Sequence, residues 1–403
     1  MLTLAAFYYH PSLDVARAQW RVAQAGLKTA GGIPNPTLTV TPGYDTTFAS
    51  GVSPWFPAVN LDVPIETAGK RGKRIAVAEQ LSASARFNLA STAWQVRSGV
   101  RAKLLLFVAD QSREALLKKQ VVAQDQIAKL LEQKIATGDL AGWALTSARI
   151  AVAKARLDLA EAQSQSVEAR VDLAEAIGVP AGALDGIELA FELQSEPDAA
   201  KGLSLPEVRR QALLSRLDIL GALADYAAAE ATLRLEIAKQ YPDVHLNPGY
   251  QFDQGQDKWS LGIGVDLPVF NHNQGPIAEA EARRAEAAAR FNELQAKVLA
   301  EIERALAVFR VTESNSAGWQ ALADEQEKQR AAIEAQFQAG ELERSNLLNA
   351  ELESLTAQLV RLDGQIKLQQ ALRNLEDALQ SPLGWSETLW TSAPRTTKEA
   401  KHE

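Results

Sequence analysis

The stretch Trp259-Ser-Leu-Gly-Ile-Gly-Val-Asp-Leu267 alternates without interruption. Trp259, Leu261, Ile263, Val265 and Leu267 fall on one side of an extended chain, and Ser260, Gly262, Gly264 and Asp266 on the other. Just upstream, Val244, Leu246, Pro248 and Tyr250 alternate with His245 and Asn247, so the two segments read as a hairpin. The first half of the chain carries the same pattern: Leu38, Val40 and Tyr44 against Thr37, Thr39 and Thr41, then Val59, Leu61 and Val63 against Asn60 and Asp62. Strands are therefore expected over 36–44, 58–65, 242–251 and 259–268. One apolar and one polar face suits either a half-buried soluble hairpin or a tilted strand of a membrane barrel. Aromatic placement favours the barrel. Tyr44, Trp55 and Phe56 bracket the first interstrand loop, Tyr250, Phe252 and Trp259 bracket the second, and Tyr241 and Phe270 mark the opposite strand ends, as interfacial girdles do. The faces predict that Leu261, Ile263 and Val265 meet lipid.

Working outward, the whole chain is written twice. Leu13-Asp14-Val15 returns as Leu217-Asp218-Ile219, Pro36 as Pro242, Pro64 as Pro268 and Gly138 as Gly340, at offsets of 204, 206, 204 and 202. The first repeat, 1–203, is expected to hold a helix over 12–30, two strands, a long helix over 73–137, a return helix over 143–177 and an irregular, Gly- and acid-rich segment over 178–203. The second, 204–383, repeats this with helices over 204–240, 276–339 and 344–380, and 384–403 is left as a tail.

Four strands cannot close a barrel, since the smallest membrane barrels have about eight. An open edge in lipid leaves unpaired backbone groups at several kcal/mol each. The chain must therefore assemble with copies of itself. Two copies give eight strands, whose side chains fill the interior, whereas three give twelve and begin to leave a lumen. The helices agree with three. A proline-free run of about 64 residues makes a rod of about 95 Å, and the return helix plus the helix stacked on its end roughly match it. Each protomer then supplies four helical columns. Twelve columns spaced at about 10 Å form a ring about 38 Å across, with a bore near 28 Å once about one helix diameter is subtracted. The expected fold is mainly α with a membrane β-barrel: a twelve-stranded barrel on a twelve-column α-helical barrel.

Composition removes other classes. There is no cysteine, which excludes disulfides and thiol catalysis, and the four histidines are scattered rather than set with carboxylates at metal-ligand spacing. Acids and bases are interleaved at a net charge of −8, with no basic face for nucleic acid. Pairs such as Glu279 and Glu281 lie beside Arg283 and Arg284, a solvated helix face rather than an acid–base site. No catalytic residue, metal site or cofactor is expected. No window reaches the roughly 18 uninterrupted apolar residues of a spanning helix, which leaves barrel strands untouched. The start lacks the charged region and cleavage site of a signal peptide, so the export signal is expected to be missing from this chain.

The paired plan of strand, strand, long helix, glycine turn and return helix resembles the TolC family of outer-membrane efflux channels. Val59-Asn-Leu-Asp-Val-Pro-Ile-Glu-Thr-Ala-Gly-Lys-Arg-Gly-Lys-Arg74 and Leu267-Pro-Val-Phe-Asn-His-Asn-Gln-Gly-Pro-Ile-Ala278 resemble its branch serving cobalt-zinc-cadmium and other cation pumps. The resemblance implies a passive homotrimeric duct crossing the outer membrane and periplasm and exporting divalent metal cations. It implies docking to a periplasmic adaptor (membrane fusion) protein and a proton-driven inner-membrane transporter of the RND type. The family's docking tips correspond to Thr137, Gly138, Asp139 and Leu140, and to Ala339, Gly340, Glu341 and Leu342. Where the family prototype narrows the lumen with aspartates, this chain has Asn346 and Asn349, so no acidic ring carries over. Lys70, Arg71, Lys73 and Arg74 open a helix, where cations oppose the macrodipole and call for an anion, with phospholipid headgroups the nearest candidates. The competing reading is a soluble periplasmic coiled-coil adaptor or scaffold, distinguished by folding and trimerising without detergent.

Overall fold

The computed structural model describes residues 1–47, 50–137, 142–193 and 202–383. In chain order the elements are α1 (Leu2–Tyr9), α2 (Pro11–Ala30), β1 (Thr37–Thr41), β2 (Ala58–Ile65), α3 (Lys70–Ala136) and α4 (Trp143–Ile177). The second half adds α5 (Leu205–Ser215), α6 (Leu217–Ala238), β3 (Val244–Asp253), β4 (Gln256–Val265), α7 (Gln274–Gln338) and α8 (Arg344–Leu379). Of the expected irregular segment, Ala181–Leu184 forms a 3-10 turn, while 194–201 and the tail 384–403 lie outside the described residues.

The chain divides into two compact units, and each draws on both repeats. One comprises Met1–Leu13, Thr92–Arg216 and the chain from Lys297, and the other Asp14–Ser91 and Leu217–Ala296.

The second unit holds one antiparallel sheet in the order β1-β2-β3-β4. The β3–β4 hairpin turns at Gln254 and Gly255, both with positive φ (51° and 79°). That is the type I′ geometry whose twist matches paired strands. The turn is therefore tighter than the sequence pattern suggests, and both strands extend further toward it.

In the first unit, long helices join along heptad seams. Ala148, Ala155, Ala162 and Ala169 are buried at intervals of seven on α4, and Leu348, Leu355 and Leu362 on α8. Alanine at every second turn of the α4 seam lets a neighbouring backbone approach closely, and Ala128 on α3 packs there with Ala148 and Val152. The α8 seam continues as Gln369 and Glu376, both 2% exposed. Burial of this kind requires partners. Gln369 donates to the Leu193 carbonyl at 3.2 Å, and Glu376 accepts from Arg101.

One expected helix, over 204–240, is broken. Arg216 adopts φ −63° and ψ 130°, ending α5 one residue before α6 begins. The first repeat breaks close to the matching place, at His10, with ψ 120° between α1 and α2. There the cause is local, because Pro11 disfavours helical geometry in the residue before it. At Arg216 the cause is tertiary: the side chain turns inward, where its guanidinium donates to the Ala378 carbonyl at 2.8 Å and to Glu301 at 3.2 Å.

The broken helices dock on the ends of the return helices, α1 on α4 and α5 on α8. Both return helices end in the same six-to-one closure. Val179 donates to Ala174 at 3.0 Å in one, and Ser381 to Glu376 at 3.2 Å in the other. Gly178 takes the left-handed position with φ 86°, and a Cβ there would lie 2.8 Å from the His10 Cα, so glycine is needed twice over.

Candidate functional site

The strand pairings assemble one continuous apolar surface. Leu38 pairs with Leu61 and Val40 with Val59; Val59, Val63 and Ile65 pair with Tyr250, Leu246 and Val244; and these pair with Trp259, Ile263 and Val265. Residues directly opposite in a ladder share a face, so every member of this set points the same way. Leu261 and Ile263 are 71% and 70% exposed, far from the burial that large aliphatic side chains seek.

The opposite face carries Thr37, Thr39 and Thr41, then Asn60 and Asp62, His245, Asn247 and Gln251, and finally Ser260, Gly262 and Gly264. His245 Nδ1 lies 2.9 Å from an Asp62 carboxylate oxygen across this polar side. At the hairpin end two aromatic pairs stand in matching places, Tyr44 with Trp55 and Tyr250 with Trp259, each with ring centroids 4.9 Å apart. Strands β1 and β4 are each paired on one side only.

At the other strand ends the cationic run is held by partners within the chain. Lys70 Nζ lies 2.8 Å from Asp243, which also accepts the Thr67 amide at 2.8 Å. Burial pushes the Asp243 carboxyl up, but the bonds from Lys70 and Thr67 outweigh it and leave the pKa below the ordinary value. Arg74 pairs with Glu66 and reaches the Ala30 and Gly32 carbonyls at 3.3 and 3.0 Å, while Arg71 takes Gly31 at 2.8 Å. These carbonyls close the C-terminal end of α2, a natural place for cations. The anion that the α3 start calls for is thus supplied from within at Lys70 and Arg74, and Lys73 stays half-buried at the surface.

Of the tip residues, Gly138, Asp139 and Leu140 lie outside the described residues. In the second repeat, Glu341 donates to the Gln336 carbonyl at 2.9 Å and Gly340 to Phe337 at 3.0 Å, the two bonds of a Schellman closure. Gly340 has φ 79°, Ala339 is the last residue before it, and Leu342 is half-buried. Thr137 Oγ1 donates to the Lys134 carbonyl at 3.0 Å. Lys134 and Glu343 pair, tying the end of α3 to the start of α8. Asn346 and Asn349 are both exposed on α8.

Sequence reasoning did not find a polar cluster around α8. Trp94 and Ser98 donate to Asp377 at 3.1 and 2.6 Å, Arg101 pairs with Glu376, and Arg97 stacks 4.7 Å over the Trp94 ring. Burial holds the Arg97 guanidinium below its ordinary pKa. The partners are some 280 residues apart, so no spacing announces them. Among the described residues no group of three or more His, Cys, Asp or Glu side chains is set to hold a metal ion. No described helix is long and apolar enough to cross a membrane.

A model of the family described as "Outer membrane efflux protein" matches residues 6–179 and 208–380. Of curated relatives, the cobalt-zinc-cadmium resistance protein CzcC of Cupriavidus metallidurans is 26% identical over 67% of this chain and 62% of its own length. The pyoverdine export outer membrane protein OpmQ of Pseudomonas aeruginosa is 24% identical over 65% of this chain and 59% of its own. The chain thus spans about three-fifths of the length of the curated relatives it matches. The crystal structure of the outer membrane protein VceC from Vibrio cholerae superposes with a TM-score of 0.74 at 20% identity, covering 95% of this chain and 96% of that one.

Proposed function

This chain belongs to the outer membrane efflux protein family, and from that premise we propose that it is the passive trimeric channel of a tripartite efflux pump. Membership makes it an outer-membrane protein with its helical part in the periplasm, and a transport component rather than an enzyme.

The observation that carries the reading is the sheet. Its apolar face is exposed in a single chain, its opposite face is polar, and both edges are open. Lipid against the apolar face, water against the polar face and a neighbouring copy at each edge answer all three at once. Three copies bring twelve strands, enough to leave a lumen lined by the Thr39, Asn60, Asn247 and Ser260 side, and twelve helical columns to continue the duct. Substrate would be handed over by an inner-membrane RND-type transporter through a periplasmic adaptor, with Thr137–Leu140 and the turn at Ala339–Leu342 as docking points. Asn346 and Asn349 would line the periplasmic constriction, and Arg71 and Lys73 would face inner-leaflet headgroups. Similarity to CzcC and the two motif stretches favour divalent metal cations as the exported substrate.

The test is to purify the protein in detergent, measure its mass and insert it into planar bilayers. A trimer forming large water-filled conductances is expected, and deleting the gene should sensitise cells to divalent metals. A monomer soluble without detergent would instead support the scaffold reading.

A further inference from the structure

The internal repeat also specifies a contact between copies, once its offsets are tested against the strand pairings inside the chain. Shifting β1 by 206 residues and β2 by 204 turns the pairs Leu38–Leu61, Thr39–Asn60, Val40–Val59 and Thr41–Ala58 into Val244–Val265, His245–Gly264, Leu246–Ile263 and Asn247–Gly262. All four are pairs of the β3–β4 ladder. The isolated bridge Tyr44–Trp55 becomes Tyr250–Trp259, also a pair of that ladder. The two hairpins therefore share one register, residue for residue.

The β2–β3 pairing joins the second strand of one repeat to the first strand of the next. In a closed ring of copies, the same junction recurs between β4 of one protomer and β1 of its neighbour. We infer that β4 and the neighbouring β1 pair in the register of β2 and β3, setting Ile263 opposite Tyr44, Gly264 opposite Gly43, Leu267 opposite Val40, Pro268 opposite Thr39 and Val269 opposite Leu38. This inference rests on the trimeric-channel reading and deepens it by naming the seam. A second copy of this chain is its occupant.

Two observations agree with it. Because both offsets are even, the transferred register keeps apolar residues beside apolar ones and puts Thr39 on the polar side, whereas a slip of one residue would invert every contact. The second is the length of β4. It stops at Val265, whereas its counterpart β2 continues to Ile65, which corresponds to Val269. The four residues between are the part of β4 for which the neighbour supplies the pairing partner. Leu267 and Val269 are 76% and 64% exposed in the single chain, and the Val269 amide folds back on the Leu267 carbonyl at 2.8 Å for want of a strand to meet. Assembly converts Asp266–Val269 from a local turn to strand.

The chain has no cysteine, so introduced pairs can be read without background. Opposed residues in a ladder hold their Cβ atoms about 4.5–5.5 Å apart, close enough for oxidation to join them with small adjustment. The double variant Val40→Cys/Leu267→Cys should give covalent dimers and trimers on non-reducing gels after mild oxidation. Val40→Cys/Pro268→Cys, whose side chains fall on opposite faces, and Leu38→Cys/Leu267→Cys, slipped by two, should give several-fold less. Val40→Cys/Val59→Cys should close within one chain, showing that the strands tolerate cysteine. A trimer in which either slipped pair joins better than Val40 and Leu267 overturns the register and leaves the channel reading standing. A protein that is monomeric in detergent overturns both.

Discussion

The guanidinium of Arg216 donates a 2.8 Å hydrogen bond to the main-chain carbonyl of Ala378, so a cation 5% exposed closes the last turn of α8 from the break between α5 and α6. A positive group at a helix C-terminus opposes the negative end of the dipole and satisfies a carbonyl with no partner within the helix. Glu301 at 3.2 Å supplies the compensating charge. Arg216→Ala leaves that carbonyl and carboxylate without this donor and should cost about 1.5–3 kcal/mol. The check is the thermal midpoint of the purified protein, with Arg216→Lys recovering part of the loss.

The two faces of β4 predict opposite tolerances. Ile263→Arg puts a charge on the apolar side and should cost about 2–4 kcal/mol near the bilayer midplane. A Cβ at Gly264 meets the Asn247 amide at 3.4 Å and the His245 Cβ at 3.5 Å, contacts that small side-chain shifts absorb, so Gly264→Ser should be mild. Yield of heat-resistant trimers from outer membranes separates the two, and equal tolerance would remove the barrel assignment.

Gly340 holds φ 79° at the end of α7 with no atom within 4 Å of a built Cβ, so strain there is purely that of the backbone. Gly340→Val should cost about 1–3 kcal/mol locally. Efflux and crosslinking to the adaptor should be lost while trimers persist. Full metal resistance in this variant would sink the docking assignment. Gly138 stands 202 residues earlier in the repeat, and the same substitution there should give the same phenotype.

Acid should loosen the start of α8. Bonds from Arg330, and also from Ser354, hold the Glu327 carboxyl below the ordinary glutamate range, and those from Lys134 and Ser345 do the same for Glu343. A pKa depressed by folding contributes stability that is complete above the unfolded value, about 4.3, and is lost as pH falls through the folded value. Hydrogen exchange of the amides from Glu343 to Ser354 should therefore quicken relative to the rest of α8 as the pH drops below about 4. In Glu343→Gln the response should be smaller, and an unchanged response would show that these pairs do not hold the turn.

The strand faces, the duplication and the long helices were legible in the residues alone, because alternation and heptad spacing are local signals with periods of about two and three and a half. Even the offset between repeats, read from Pro36, Pro64 and their counterparts, proved to be the register relation between the two hairpins. The break before α2 was also available, since Pro11 announces it, and Leu217-Asp218 repeats Leu13-Asp14 closely enough to carry that break to Leu214, near Arg216 where it falls. The side-chain partners were decided only by the tertiary structure. Lys70 meets Asp243 across 173 residues, and Arg101 meets Glu376 across 275. Charged side chains so far apart in the chain leave no periodicity, and which of many interleaved acids a given base will face depends on packing that brings their backbones together. Glu66 and Arg74, only eight residues apart, were no easier to read, because the turn through Ala68 and Gly69, both at positive φ, sets their approach.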